Sequence, residues 1–332
     1  MQETGLRNRD WIWFPAFFML EGRNMPMCTR EKRKRNSLAK WPVIFIAPFG
    51  ISYILFFLYP LFSSFYISLT NWSAMNMMQR EFVGFQNYIR VFQDKMFWKS
   101  IVNTLRITLW GMPITIICGL LVAVMMYRLT RFRQVIQTIN FLPYITMPTA
   151  IGMIFANLFA MNTGAINLIL EKLGWMTERI NWLGSAQFAY IVVIIMFIWK
   201  NFGYFMVLYL SGLSTIPNEC YEAAKLDGAN SRQIFFKITM PLLRPINTFI
   251  LVQGSIGCLQ LFDEARTLIL GSGSDVEGGP GRSLMTIIWY FYNVSFKDNS
   301  RFGYGAAIAF SLLVIIAAVA FLSLKIMTRK EE

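Results

Sequence analysis

Along the chain, long apolar runs alternate with short joints in which polar and basic residues collect. Six runs reach the roughly 20 residues that an α-helix needs to cross a hydrocarbon core. They lie at about 42–69, 104–127, 139–160, 187–211, 242–262 and 304–325. An earlier stretch, "WIWFPAFFML" at 11–20, has only ten residues, is interrupted by Pro15 and is followed by "TREKRKR". A seventh span is therefore not expected there; an interfacial anchor or a translation start at Met25 or Met27 are the alternatives. The charged block and long apolar run that follow argue against a cleaved signal peptide. The pattern predicts an all-α, polytopic membrane protein with a basic tail at 1–41, a six-helix domain at 42–327 and a short tail at 328–332.

Composition agrees with the pattern: 55% of the 332 residues are hydrophobic, 16% aromatic and only 15% charged, as a lipid-embedded chain requires. The net charge of +13 could suggest a nucleic-acid partner, but the basic residues sit in clusters beside apolar runs, so membrane topology accounts for them and no nucleic acid is expected. With the N-terminus inside, nineteen Lys and Arg fall on the inner side and ten on the outer, which predicts that both termini are cytoplasmic. The run "REKRKR" is then a topology signal drawn to anionic lipid. The four cysteines are scattered, two of them inside apolar runs, and are expected as free thiols. The chain has no histidine, which removes the commonest general base and most zinc sites. No convergent set of acids, bases or metal ligands is visible in the spans, so neither catalysis nor a metal site is expected.

One joint differs from the rest. Between the fourth and fifth runs lies "YEAAKLDGANSRQIFFKITMPLLRP", residues 221–245. Pro217 suits a first helical turn, and Glu219 and Glu222 lie near the positive end of the helix dipole. Asp227-Gly228 predicts a stop. Asn230 or Ser231 can cap a second helix that carries Ile234, Phe235 and Ile238 on one side, and Pro241 and Pro245 mark the return to the bilayer. The segment 217–240 reads as a helical hairpin along the membrane surface, shaped as a knob for another protein's groove or as a connector packed under its own bundle.

"EAAKLDGA", with Phe235, Ile238, Pro241 and Pro245 behind it and Ile216-Pro217 before it, resembles the EAA motif of permease subunits of bacterial ATP-binding cassette importers, in their carbohydrate branch. "FFLYPLFSSFYISLTNW" (56–72), "FVGFQNYIRVFQDKMFWKSIVNTL" (82–105) and "FLPYITMPTAIGMIFANLF" (141–159) resemble that branch's first core helix, first external loop and third core helix. "GGPGRSLMTIIWYFY" (278–292) and "FGYGAAIAFSLL" (302–313) resemble its last external loop and last helix. The resemblance covers about residues 42–327.

It implies the type I importer permease fold, in which the hairpin is a coupling helix docked on a cytoplasmic ATPase. Glu222 would make a polar contact with that ATPase, Ala223 and Ala224 would form the close-packed face, Gly228 the bend and Asp227 a local cap or pair, with Phe235 on the second helix. Met240 departs from the usual Leu, a volume-conserving change. The chain lacks a phosphate-binding Gly-x-x-x-x-Gly-Lys-Ser/Thr loop, so ATP and Mg would be used by separate subunits and the chain would hold no cofactor. The implied partners are a second, non-identical permease, two ATPase subunits, an extracytoplasmic solute-binding protein and a sugar, all at the bacterial cytoplasmic membrane.

For the sugar path, "FIWKNFGYFM" (197–206) points to Asn201 and Tyr204, and the fifth run to Gln253, Gly257 and Gln260. Amides suit hydroxyl groups and aromatics suit a pyranose face, although polar residues in spans also join helices together. Lys200, a charge near mid-span, calls for a function: contact with an acidic substrate, pairing across the permease interface, or exposure to a water-filled cavity, with pairing or cavity exposure the favoured readings. Arg106 is expected to reach the headgroups. The glycine-rich run "GSGSDVEGGPG" (271–281) is expected to be a flexible contact for the binding protein. An ion-gradient transporter would carry acidic residues in spans and internal repeats, and neither is read in this chain.

Overall fold

The computed structural model describes residues 40–76, 80–127, 131–176, 178–273, 276–297 and 300–328. The stretch 11–20, the starts at Met25 and Met27, Cys28, most of the basic tail and residues 329–332 lie outside them. Among the described residues the regular structure is helical, with one isolated antiparallel bridge between Thr70 and Phe82.

The chain divides into two compact units, Met1–Phe57 and Leu58–Glu332. In the first, helix α1 (Lys40–Tyr53) leads into a π turn at Ile54–Leu58. Phe49, Tyr53 and Phe57 stack in series, with ring centroids 6.1 and 5.0 Å apart. Phe45, Phe49 and Phe56 are exposed, as befits a helix whose solvent is lipid.

The second unit holds α2 (Tyr59–Ser68), α3 (Gln86–Gln93), α4 (Lys95–Tyr127), α5 (Arg133–Ile145), α6 (Pro148–Leu158), α7 (Ala165–Lys172), α8 (Ala186–Ser214) and α9 (Asn218–Leu226). It continues with α10 (Ser231–Leu242), α11 (Arg244–Leu259), α12 (Asp263–Gly271), α13 (Ile287–Phe296) and α14 (Phe302–Thr328).

Among the described residues, four helical stretches are long and apolar enough to cross a membrane: Ile44–Ser68, Lys95–Tyr127, Ala186–Ser214 and Phe302–Lys325. The other two expected spans are broken. The run 139–160 bends by 96° between α5 and α6, and 242–262 is replaced by α10 and α11, which meet at 65°. A proline sits at both: Met147 is extended (ψ 126°) directly ahead of Pro148, whose ring crowds the preceding residue out of the α region, and Leu243 (ψ 0°) leaves helical geometry two residues before Pro245, which in a continuous helix would have no N–H for the Pro241 carbonyl and would clash with it. The stretch 82–105, read as an external loop, is largely helical, forming α3 and the first turns of α4. Arg106 is accordingly three turns inside α4 and exposed.

Helices α4 and α8 form the central pair, with α5 and α11 against them and α14 against α2, α3, α11 and α13. Small residues let the backbones close up. A Cβ on Gly203 of α8 would sit 1.7 Å from the Asn140 carbonyl oxygen of α5, and one on Gly152 of α6 would sit 1.9 Å from Thr267 Oγ1 of α12.

At the α4 N-terminal end, Asp94 accepts hydrogen bonds from the hydroxyls of Tyr290 and Tyr304, tying the α3–α4 joint to α13 and α14. Burial acts to raise the Asp94 pKa, but these hydroxyls and the Met96 and Phe97 amides outweigh it and hold the carboxyl below its usual range. Asn103 donates to the carbonyls of Arg282 and Met285 at 3.0 and 3.2 Å. Glu277 accepts from Trp289 Nε1 and Lys297 Nζ, and Gly278 and Gly279 take φ 79° and 72° in a turn where an added Cβ would crowd Met285 and Ile269. The part of the glycine-rich run between 276 and 279 is thus tied down rather than loose, because carboxylate and tight turn are both engaged by α13 and its approach.

Candidate functional site

Two features stand out: a polar cavity in the bundle and an exposed hairpin at the end where α4 and α8 terminate. The cavity, of about 280 Å³, lies among α5, α8, α11 and α12 and is lined by all six residues assigned to the path: Lys200, Asn201, Tyr204, Gln253, Gly257 and Gln260. Helical periodicity gathers them, since Lys200, Asn201 and Tyr204 share one face of α8, as do Gln253, Gly257 and the C-cap Gln260 of α11. Gln253 and Gln260 are exposed on the cavity wall. Asn201 uses one N–H on the Phe197 carbonyl at 2.8 Å within its own helix. A Cβ on Gly257 would meet nothing within 4 Å.

Two contributions escaped the sequence. Tyr144, from the end of α5, stacks on Tyr204 with ring centroids 4.3 Å apart and planes 6° from parallel. Glu264, in the first turn of α12, is 7% exposed and accepts a hydrogen bond from Lys200 Nζ. Lys200 therefore has a partner inside its own chain, on α12 just beyond the fifth apolar run. The apolar run ends at Phe262, and Asp263-Glu264 follow it immediately; a mid-span lysine calls for a counter-charge, and these carboxylates were the signal for it.

In the hairpin, Pro217 is the N-cap of α9, one position before the first turn that was expected. The helix ends as foreseen at Gly228, φ +76°, with both bonds of a Schellman closure: Gly228 N–H to the Lys225 carbonyl at 3.1 Å and Ala229 N–H to the Ala224 carbonyl at 2.9 Å. Asp227 is the C-cap, its amide bonded to Ala223. Asn230, rather than Ser231, caps α10 in a reciprocal box with Gln233. Glu222 and Ala223 are exposed and Leu226 is 89% exposed.

Two assignments change. Ala224 is buried within this chain, so it does not share an outer face with Ala223. Phe235, placed with the docking residues, is half-buried beside Ile234 and Ile238 in a stretch that includes a π turn at Phe235–Thr239 and lines a cavity of about 470 Å³ with Tyr127, Leu213, Tyr221 and Thr239, while Phe236 is the exposed ring.

A bundle of membrane-length helices that gathers amides, paired tyrosines and a matched ion pair around one cavity, and presents a closed helical hairpin at one end, defines a membrane transport subunit. The chain belongs to the family of binding-protein-dependent transport system inner membrane components, which residues 111–330 match. It is similar to the arabinooligosaccharides transport system permease protein AraP of Bacillus subtilis, at 33% identity over 287 residues covering 86% of this chain and 88% of that one. The lactose transport system permease protein LacF of Rhizobium radiobacter is 33% identical over 280 residues (84% and 91%). The sulfoquinovosyl glycerol transport system permease protein SmoG of Agrobacterium fabrum is 33% identical over 320 residues (92% and 100%). A chain in the crystal structure of a bacterial ABC transporter involved in the import of the acidic polysaccharide alginate shares the fold, with a TM-score of 0.71 and 22% identity over 88% of this chain and 96% of that one.

Proposed function

We propose that this chain is the permease subunit through which an ATP-binding cassette importer moves a sugar across the bacterial cytoplasmic membrane. The observation that carries the reading is the cavity, where residues from three helices supply amides for hydroxyls and a tyrosine pair for a ring face. The names of relatives support a saccharide, and they include both neutral and acidic cargoes. ATP and Mg are used by two separate ATPase subunits, a second, homologous permease completes the pathway, and an extracytoplasmic binding protein delivers the sugar. The chain itself catalyses nothing and holds no cofactor.

The hairpin is the coupling element in this reading. Its exposed Glu222, Ala223, Leu226 and Phe236 form the docking face, Gly228 the bend, and Ala224 and Phe235 seat it on its own bundle. ATP-driven closure acts on transport only as far as these contacts differ in free energy between the two membrane states.

The test is co-purification with the products of neighbouring genes, followed by ATPase assay with sugar-loaded binding proteins. Stimulation by one loaded binding protein is expected. Gly228→Asp should leave membrane insertion intact and abolish that stimulation, and stimulation equal to the parent's would remove the coupling role.

A further inference from the structure

We infer that the cavity takes an uncharged saccharide and turns away an anionic one, an assignment that rests on the reading of the substrate as a sugar. The charged side chains lining the cavity are Lys200, Asp263 and Glu264. The one cation is already matched: Lys200 Nζ donates to Glu264 Oε1, and the two side chains are 17% and 10% exposed. A carboxylate or sulfonate arriving with the cargo would have to displace Glu264 from Lys200, leaving a buried carboxylate unpaired at a cost no exposed pair carries. Arg266, the nearest cation along the chain, lies over the Tyr292 ring at 5.0 Å and is absent from the cavity wall.

Asp263 tips the balance further. It is exposed on the cavity from the first turn of α12. The wall therefore carries one net negative charge, in surroundings that screen it less than water does. What remains suits hydroxyls rather than charges: the amides of Asn201, Gln253 and Gln260 both donate and accept, and the open space at Gly257 leaves room for a ring near the backbone.

The test uses the assembled complex in nanodiscs without its binding protein, so that only the membrane cavity selects. Saturation-transfer NMR is read for lactose, maltose and cellobiose, each beside the uronic acid made by oxidising its terminal primary hydroxyl. At least one neutral sugar should give a signal, with its acid weaker on the order of tenfold, the effect of one poorly screened charge a few ångströms away. Asp263→Asn and Glu264→Gln should each narrow that gap; Asp263→Asn keeps the test open should loss of the ion pair impair folding. An acid signal equal to or above the neutral one, or a gap unchanged in Asp263→Asn, overturns the charge selection and leaves the sugar reading standing. If no sugar of either kind gives a signal and proteoliposomes import none, the sugar reading falls and the selection falls with it.

Discussion

A single methyl group separates two kinds of glycine in this protein. At Gly203 it would overlap the α5 backbone, and backbone cannot step aside as a side-chain tip can; Gly203→Ala is expected to cost about 2 kcal/mol or more and to lower the thermal midpoint of the detergent-purified protein. At Gly257 the same methyl meets open space. Gly257→Ala should keep or slightly raise that midpoint, by up to about 1 kcal/mol of helix propensity, while lowering sugar uptake by narrowing the cavity. The Lys200–Glu264 pair makes a second case. Removing either partner leaves the other charge largely buried, and since neither is fully enclosed the cost should be on the order of 2 kcal/mol, below that of a fully buried pair. Lys200→Met with Glu264→Gln together should cost less than the sum of the single changes, which a double-mutant cycle on thermal unfolding would measure. Both side chains were in plain view in the sequence, but their meeting across 64 positions depends on how α12 folds back onto α6, which no local pattern encodes.

Among the elements, the joint between α3 and α4 has a defined response to acid. Asp94 titrates below its unfolded value, so the stability it lends is fully present above that value and disappears as pH falls through the lowered one, below about pH 4. Glu277, also held low against burial by its hydrogen-bond partners, acts in the same sense. Thermal unfolding followed from pH 7 to pH 3 should show a steep acid limb that Asp94→Asn makes shallower; an identical limb in the variant would assign it to other groups. Helix existence was legible here wherever an apolar run or a cap motif was strong, as at Gly228 and Asn230. The two elbows were less so. Pro148 and Pro245 were visible, but a proline in a hydrophobic run is compatible with a straight span when neighbouring helices satisfy the freed carbonyl, so the prolines by themselves did not announce the breaks at Met147 and Leu243. The π turn at Phe235–Thr239 had no signature at all.

For the molecule as a whole, the charge bias places both termini on the cytoplasmic side, and that proposal has a direct check. In a background with native cysteines replaced by serine, Trp175→Cys, exposed between α7 and α8, should react with an impermeant maleimide in intact cells, whereas Arg131→Cys, exposed between α4 and α5, should react only after permeabilisation. The opposite pattern would invert the topology and detach the hairpin from any cytoplasmic ATPase. The 65° elbow at Leu243 also gives the protein a mechanical property. Helix α11 has 16 residues and is about 24 Å long, so a tilt of about 5° about the elbow sweeps its far end through about 2 Å. That far end carries Gln260. A rocking of the hairpin too small to break one backbone hydrogen bond is therefore geared up into a stroke comparable to the difference between holding a hydroxyl and releasing it.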